Sequence, residues 1–233
     1  MPVEISHRKL EFPDLEEADE SGLLAVGGDL SLERLKLAYS KGIFPWYEKG
    51  MPILWWSPDP RMVLFPDKMI ISHSLKQIIK KQHFTVTIDT AFEKVIKNCA
   101  QTPRKGEKGT WITREMKNAY IDLHKAGFAH SAEAWLDGKL VGGLYGVAIG
   151  KAYFGESMFH HVTNASKVAF FHLVEKLSSW NFKIIDAQVY TNHLESLGGE
   201  MIPRSQYIQI LEKALLIEDA PVSWEKRSSE MGI

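Results

Sequence analysis

The chain has 233 residues, 45% of them apolar and 24% charged, with a formal net charge of −1. That length allows one large domain or a large one with a small companion; the charge gives no global pull on nucleic acid, and no apolar run approaches the roughly 20 residues that span a bilayer. A lone cysteine excludes an internal disulfide and suits a reducing cytoplasm, and the start, Met-Pro-Val-Glu-Ile-Ser, lacks the basic and apolar regions of a signal peptide.

In chain order, residues 1–21 read as loose polar surface structure. Gly22 to Asp29 is an apolar strip that ends in the glycine turn Gly27-Gly28. Ser31 can cap a helix with Glu33 in its first turn and Leu32, Leu35, Ala38 and Tyr39 on neighbouring faces. Gly42 is the natural stop. Then follow Gly42-Ile43-Phe44-Pro45-Trp46-Tyr47 and Ile53-Leu54-Trp55-Trp56-Ser57-Pro58-Asp59-Pro60-Arg61. Prolines 45, 52, 58 and 60 exclude helix interior, because each removes an amide donor and fixes its own φ. Rings this dense must pack against something. They either cement one part of the chain to another, the better account of Trp55 and Trp56, or form a stacking platform, which suits Trp46. The N-terminal unit ends near Arg61, so the expected division is 1–61 and 62–233.

Beyond it, Met62–Phe65 reads as a strand stopped by Pro66, Ser74–Gln82 as a helix, Thr85–Asp89 as a strand and Ala91–Ala100 as a helix that buries Cys99. Residues 101–108 form a polar, basic connector, and Thr113–Ala126 a helix stopped by Gly127. Ala129–Leu136 and Lys139–Ile149 make a hairpin across Asp137-Gly138. A strand over Ala152–Glu156, a long helix over Asn164–Trp180, a strand over Lys183–Val189 and a helix over Arg204–Leu216 complete the pattern. Helices alternating with a partly antiparallel sheet define a mixed α/β (α+β) class. The order helix, three-stranded meander, helix, strand, helix resembles the acetyltransferase (GNAT-like) fold, whose two central strands splay into a cleft. Here they would be Ala152–Glu156 and Lys183–Val189. Fold alone does not give function.

The sharpest local signal is Ile184-Ile185-Asp186-Ala187-Gln188-Val189. In a strand, Asp186 and Gln188 share a face. A carboxylate and an amide in an otherwise apolar strand are costly unless each finds partners. They either tie the strand to a helix or form the polar floor of a cleft that positions a nucleophile. The second signal is Phe154-Gly155-Glu156-Ser157-Met158-Phe159. Glu156 stands at a strand end beside a glycine, as a binding group or as a cap for the next turn. His160 and His161 have no partners at metal-ligand spacing, and no nucleophile elbow or phosphate-binding glycine loop is present, so neither metal nor cofactor is expected. Gly142-Gly143 marks a bulge or tight packing. Lys76, Lys80 and Lys81 share a helix, and Arg104, Lys105 and Lys108 precede Trp111. Such charges are either a solvated face or a track for a phosphate backbone.

Taken together, these runs resemble the leucyl/phenylalanyl-tRNA–protein transferases of bacteria. The aromatic runs above match, as do Gly109-Thr110-Trp111-Ile112-Thr113-Arg114, Leu140-Val141-Gly142-Gly143-Leu144-Tyr145-Gly146-Val147, Asn164-Ala165-Ser166-Lys167 and Asp186-Ala187-Gln188-Val189, in order from about residue 22 to residue 205. The resemblance implies transfer of leucine or phenylalanine, less readily methionine, from aminoacyl-tRNA (Leu-tRNA, Phe-tRNA) to proteins that begin with Arg or Lys. The product is then marked for N-end rule degradation. It implies an amino-acid pocket of Leu144, Met158, Phe170, Leu173 and Ile185, although each is equally credible as plain core. Tyr39, Trp46, Trp111 and Tyr120 would hold the terminal adenosine and ester, with Tyr153 where relatives can carry Phe. Lys76, Lys80 and Lys81 would meet acceptor-stem phosphates. Catalysis would fall to Asp186, Gln188 and Glu156, in a cytoplasmic monomer without membrane contact. The segment where acyl-CoA enzymes carry a glycine-rich pyrophosphate loop reads Ser157-Met158-Phe159-His160-His161-Val162-Thr163-Asn164, which argues against coenzyme A. An acetyl-CoA enzyme, a non-catalytic RNA-binding module and a cell-wall aminoacyltransferase are the rival readings.

Overall fold

The structure is a computed structural model that describes residues 2–102, 111–217 and 224–225; the expectations for Arg104, Lys105 and Lys108 fall outside these. Ser31 caps α1 (Leu32–Ser40) by accepting a hydrogen bond from the Arg34 amide. Gly42 then turns the chain at φ +71°, where a Cβ would stand 2.7 Å from the Tyr207 ring. The segment read as loose structure contains strand β1 (Val3–Ile5), because it finds a parallel partner in β2 (Leu23–Gly27). With β3 (Phe44–Pro45) and β4 (Leu54–Trp56) these form a four-stranded sheet ordered β1-β2-β4-β3.

The second sheet has seven strands: β5 (Arg61–Leu64), β6 (Thr85–Ile88), β7 (Ala129–Leu136), β8 (Lys139–Ile149), β9 (Ala152–His160), β10 (Ile184–Gln188) and β11 (Glu200–Ile202). Their order is β11-β5-β10-β9-β8-β7-β6. Among the described residues of this sheet, only β9 and β10 pair in parallel. The helices are α2 (His73–Lys80), α3 (Phe92–Gln101), α4 (Arg114–Lys125), α5 (Ala165–Ser179), the short α6 (Asn192–Glu195) and α7 (Arg204–Leu215). One core joins α1, α3, α4 and α7 to a face of the large sheet and runs on into the small one through Trp55 and Phe12, whose rings meet edge-on at 4.9 Å. The other face is covered by α5 and α2. Helix, meander, helix and parallel strand give the acetyltransferase-like arrangement in a mixed α/β chain. Parallel pairing ends at Phe154 opposite Asp186, and past that point β9 and β10 part. Among the described residues no helix is long and apolar enough to cross a membrane.

Candidate active site

Two neighbouring β-bulges build the site. Across β8 and β9, Tyr145 pairs with Ser157 and Gly146 with Gly155, which leaves Glu156 as the extra residue. A Cβ on Gly146 would lie 2.2 Å from the Phe154 carbonyl oxygen, so only glycine fits opposite this bulge. On β10, Asp186 pairs with Val63 and Gln188 with Met62, leaving Ala187 extra, and Gln188 adopts φ +66°. A bulge breaks the period-two alternation and re-aims side chains. The two side chains thus take different partners, Asp186 turning to Arg61 and Tyr207 and Gln188 to Glu156.

Asp186 is turned inward and saturated. Its Oδ1 accepts from Arg61 Nε at 2.8 Å and from the Gln188 amide at 2.9 Å; its Oδ2 accepts from Arg61 at 2.7 Å and from the Tyr207 hydroxyl at 2.8 Å. Both members of the ion pair are 1% exposed. The Arg61 guanidinium lies between the rings of Phe44 and Tyr207, 4.8 Å from each centroid. Burial alone would lower its proton affinity, but Asp186 and then Tyr207 more than offset this and hold it charged. Asp186 therefore reaches Gln188 through the backbone and makes no bond to its side-chain amide.

That amide turns to Glu156. Gln188 Nε2 donates to Glu156 Oε1 at 2.8 Å. Tyr39 donates to Oε1 at 2.7 Å and Tyr120 to Oε2 at 2.7 Å. The two tyrosine oxygens are 2.5 Å apart. Glu156 keeps partial solvent contact but sits deep enough that burial pushes its carboxyl up to about 7, against the pull of the tyrosine and glutamine hydrogen bonds and with a further push from Asp186. Burial, then Glu156, drives the Tyr39 and Tyr120 hydroxyls well above the usual tyrosine range.

The other expected residues divide by burial. Trp46 is 41% exposed and leans on Trp56 at 5.8 Å. Trp55 is fully buried with its indole donating to the Gly27 carbonyl, which is the cementing role. Trp111 is nearly buried. The rings of Tyr39, Tyr120 and Tyr153 are buried; the first two turn their hydroxyls to Glu156, and Tyr153 packs near Trp224. Lys76, Lys80 and Lys81 are exposed along α2 and its end. Leu144 pairs across the sheet with Met158, and Phe170, Leu173 and Ile185 join the same apolar cluster on the α5 face. The tyrosines that hold Glu156 belong to the opposite face. A cavity of about 610 Å³ lies elsewhere, lined by Ile79, Phe84, Val86, Val168, His172 and Lys176, and none of the expected site residues lines it.

Gln188 and Glu156 thus set an amide and a carboxyl where β9 and β10 part. A ribosomal-protein-alanine N-acetyltransferase structure from Brucella melitensis overlaps 61% of this chain and 96% of its own, with a TM-score of 0.34 at 16% identity. The family model described as leucyl/phenylalanyl-tRNA protein transferase matches residues 63–212, and the model of that family's N-terminal domain matches residues 28–59. A leucyl/phenylalanyl-tRNA–protein transferase of Saccharophagus degradans is 56% identical over 206 residues, 88% of this chain and 84% of its own length. One from Flavobacterium johnsoniae is 55% identical over 205 residues, 88% of this chain and 97% of its own. The chain thus belongs to the leucyl/phenylalanyl-tRNA–protein transferase family and is an aminoacyltransferase.

Proposed function

We propose that this chain takes leucine or phenylalanine, and less readily methionine, from aminoacyl-tRNA and joins it to the α-amine of proteins beginning with Arg or Lys. The extended proteins enter N-end rule degradation. The enzyme works as a monomer in the cytoplasm, with residues 1–61 presenting the aromatic platform and 62–233 the transfer cleft. The observation that supports this best is the Gln188 amide held on Glu156 at the parting of β9 and β10, two residues along β9 from Met158 of the apolar cluster.

An aminoacyl ester is already activated, and an α-amine titrates near ~7.7–8.0, so a sizeable fraction is neutral at working pH. Aligning amine and ester can supply roughly 7–11 kcal/mol at best. Gln188 orients the amine through its amide oxygen, which its bond to Glu156 leaves free. Asp186 fixes the backbone of Gln188. Leu144, Met158, Phe170, Leu173 and Ile185 take the amino-acid side chain after a small repacking. Met and Leu adapt to branched and flat side chains, and apolar pockets discriminate single methylenes weakly. Trp46 and Trp111 flank the terminal adenosine, and Lys76, Lys80 and Lys81 meet acceptor-stem phosphates. Purified chain incubated with labelled Phe-tRNA and an Arg-initiated peptide should yield Phe-Arg-peptide. Label lost only as free phenylalanine, or acetylation of the peptide with acetyl-CoA instead, would overturn the reading.

A further inference from the structure

The Tyr39, Tyr120 and Glu156 oxygens form a closed triangle, and its protons can be counted. There are three contacts: Tyr39 to Oε1 at 2.7 Å, Tyr120 to Oε2 at 2.7 Å, and tyrosine to tyrosine at 2.5 Å. Each hydrogen bond needs one proton, and each hydroxyl owns one. With Glu156 ionised, both hydroxyl protons point at the carboxylate, and two tyrosine oxygens face each other with no proton between them. One more proton, on Oε2, lets the carboxyl donate to Tyr120, Tyr120 to Tyr39, and Tyr39 to Oε1. All three contacts are then hydrogen bonds. The triangle therefore has room for one added proton and a partner for it.

We propose that this triangle is the proton carrier of the transfer reaction, with Glu156 the group that exchanges protons with substrate and Tyr39 and Tyr120 the positioning residues that share the charge. The proposal rests on the transfer reaction argued above. As the amine nitrogen attacks the ester carbonyl, the C–N bond forms and nitrogen becomes cationic. Ionised Glu156 takes one proton from that nitrogen, and the triangle closes. When the C–O bond to the ribose breaks, the same proton passes to the departing ribose oxygen, and the triangle reopens. Protons and electron pairs balance, and no other reactant is needed. Both tyrosines are fully enclosed, so the ester cannot bypass Glu156 to reach them. The groups facing Glu156 are Tyr39 on α1, Tyr120 on α4 with Tyr145 of β8 against its ring, and Gln188 with Asp186 on β10. Asp186 is paired with Arg61 at 2.7 Å. A carboxyl lifted to about 7 is close to the proton affinity of the amine it serves.

The test is the pH dependence of single-turnover peptide-bond formation by the whole chain, with saturating Phe-tRNA and an Arg-initiated peptide. Glu156→Gln should lose about a hundredfold or more of the rate, the usual range for a general base. Tyr39→Phe and Tyr120→Phe each take one hydrogen bond from the ionised triangle and two from the protonated one, so the acid limb should leave its wild-type position. A displacement of about one pH unit changes the rate about tenfold on that limb and little near pH 9. In the Glu156→Gln background, Tyr39→Phe should no longer change the profile. Infrared pH titration of the free protein reads the same group without turnover: a protonated-carboxyl band should titrate, vanish in Glu156→Gln, and titrate at a displaced pH in Tyr39→Phe. Product formed with tyrosine-variant profiles that keep the wild-type shape, or an undiminished rate in Glu156→Gln, would overturn this proposal alone. No product from the wild-type chain would instead sink the transfer reaction, and this chemistry with it.

Discussion

The Arg61–Asp186 pair offers the sharpest perturbation. Both side chains are 1% exposed, and Asp186 receives four hydrogen bonds, two from Arg61 and one each from Tyr207 and the Gln188 backbone. Removing one partner of a buried pair strands the other, at a cost of about 3–5 kcal/mol. For a chain of this size each kcal/mol shifts the melting temperature by roughly 2–4 °C. Arg61→Met or Asp186→Leu should therefore melt roughly 6–20 °C below the wild type, read by the fluorescence of the seven tryptophans. The double variant Arg61→Met with Asp186→Leu strands no charge and should melt well above either single one. Its transfer rate should stay low, because nothing then anchors the Gln188 amide at φ +66°. Single variants that melt within about 1 °C of the wild type, or a double variant whose loss is the sum of the two, would refute the reasoning.

Glu156 makes a second prediction through its raised proton affinity. The folded state holds a proton that the unfolded state has released between the ordinary value of 4.5 and about 7, so stability falls as pH rises through that window. Glu156→Gln should match the wild type in urea midpoint at pH 4 and exceed it at pH 8 by on the order of 3 kcal/mol; equal stabilities at pH 8 would count against it. Trp46→Ala should weaken aminoacyl-tRNA binding by about 1–3 kcal/mol while leaving the melting curve in place. Trp55→Ala should do the reverse, costing roughly 3–5 kcal/mol of stability, and filter binding beside calorimetry separates the two. Joint replacement of Lys76, Lys80 and Lys81 by Ala should flatten the slope of log affinity against log salt by about 2–3; an unchanged slope would place the tRNA elsewhere.

Turn and cap chemistry made much of the fold readable. Asp137-Gly138 set both ends of the β7–β8 hairpin, and Ser31, Thr113 and Gly127 set the ends of helices, because these signals are local. Strand β9 runs on to His160, past the expected end at Glu156, because β8 supplies antiparallel partners as far as Gly142. Strands β1 and β11 are short, and distant partners decide them. The site was half legible. An amide and a carboxylate in apolar strands marked Gln188, Asp186 and Glu156, but period-two logic fails at a bulge. Gly146 opposite Gly155 was the available signal, since glycine inside a strand often marks one. The Arg61, Tyr207, Tyr39 and Tyr120 contacts were not legible, because tertiary packing brings these residues to their carboxylates from distant segments.

Single-turnover transfer from Phe-tRNA by Gln188→Ala, with tRNA and peptide affinities measured separately, bears most directly on the whole scheme. An amide that aligns the attacking nitrogen should be missed in the chemical step: the rate should drop at least about tenfold while both affinities hold. A variant that transfers phenylalanine as fast as the parent chain would contradict the account.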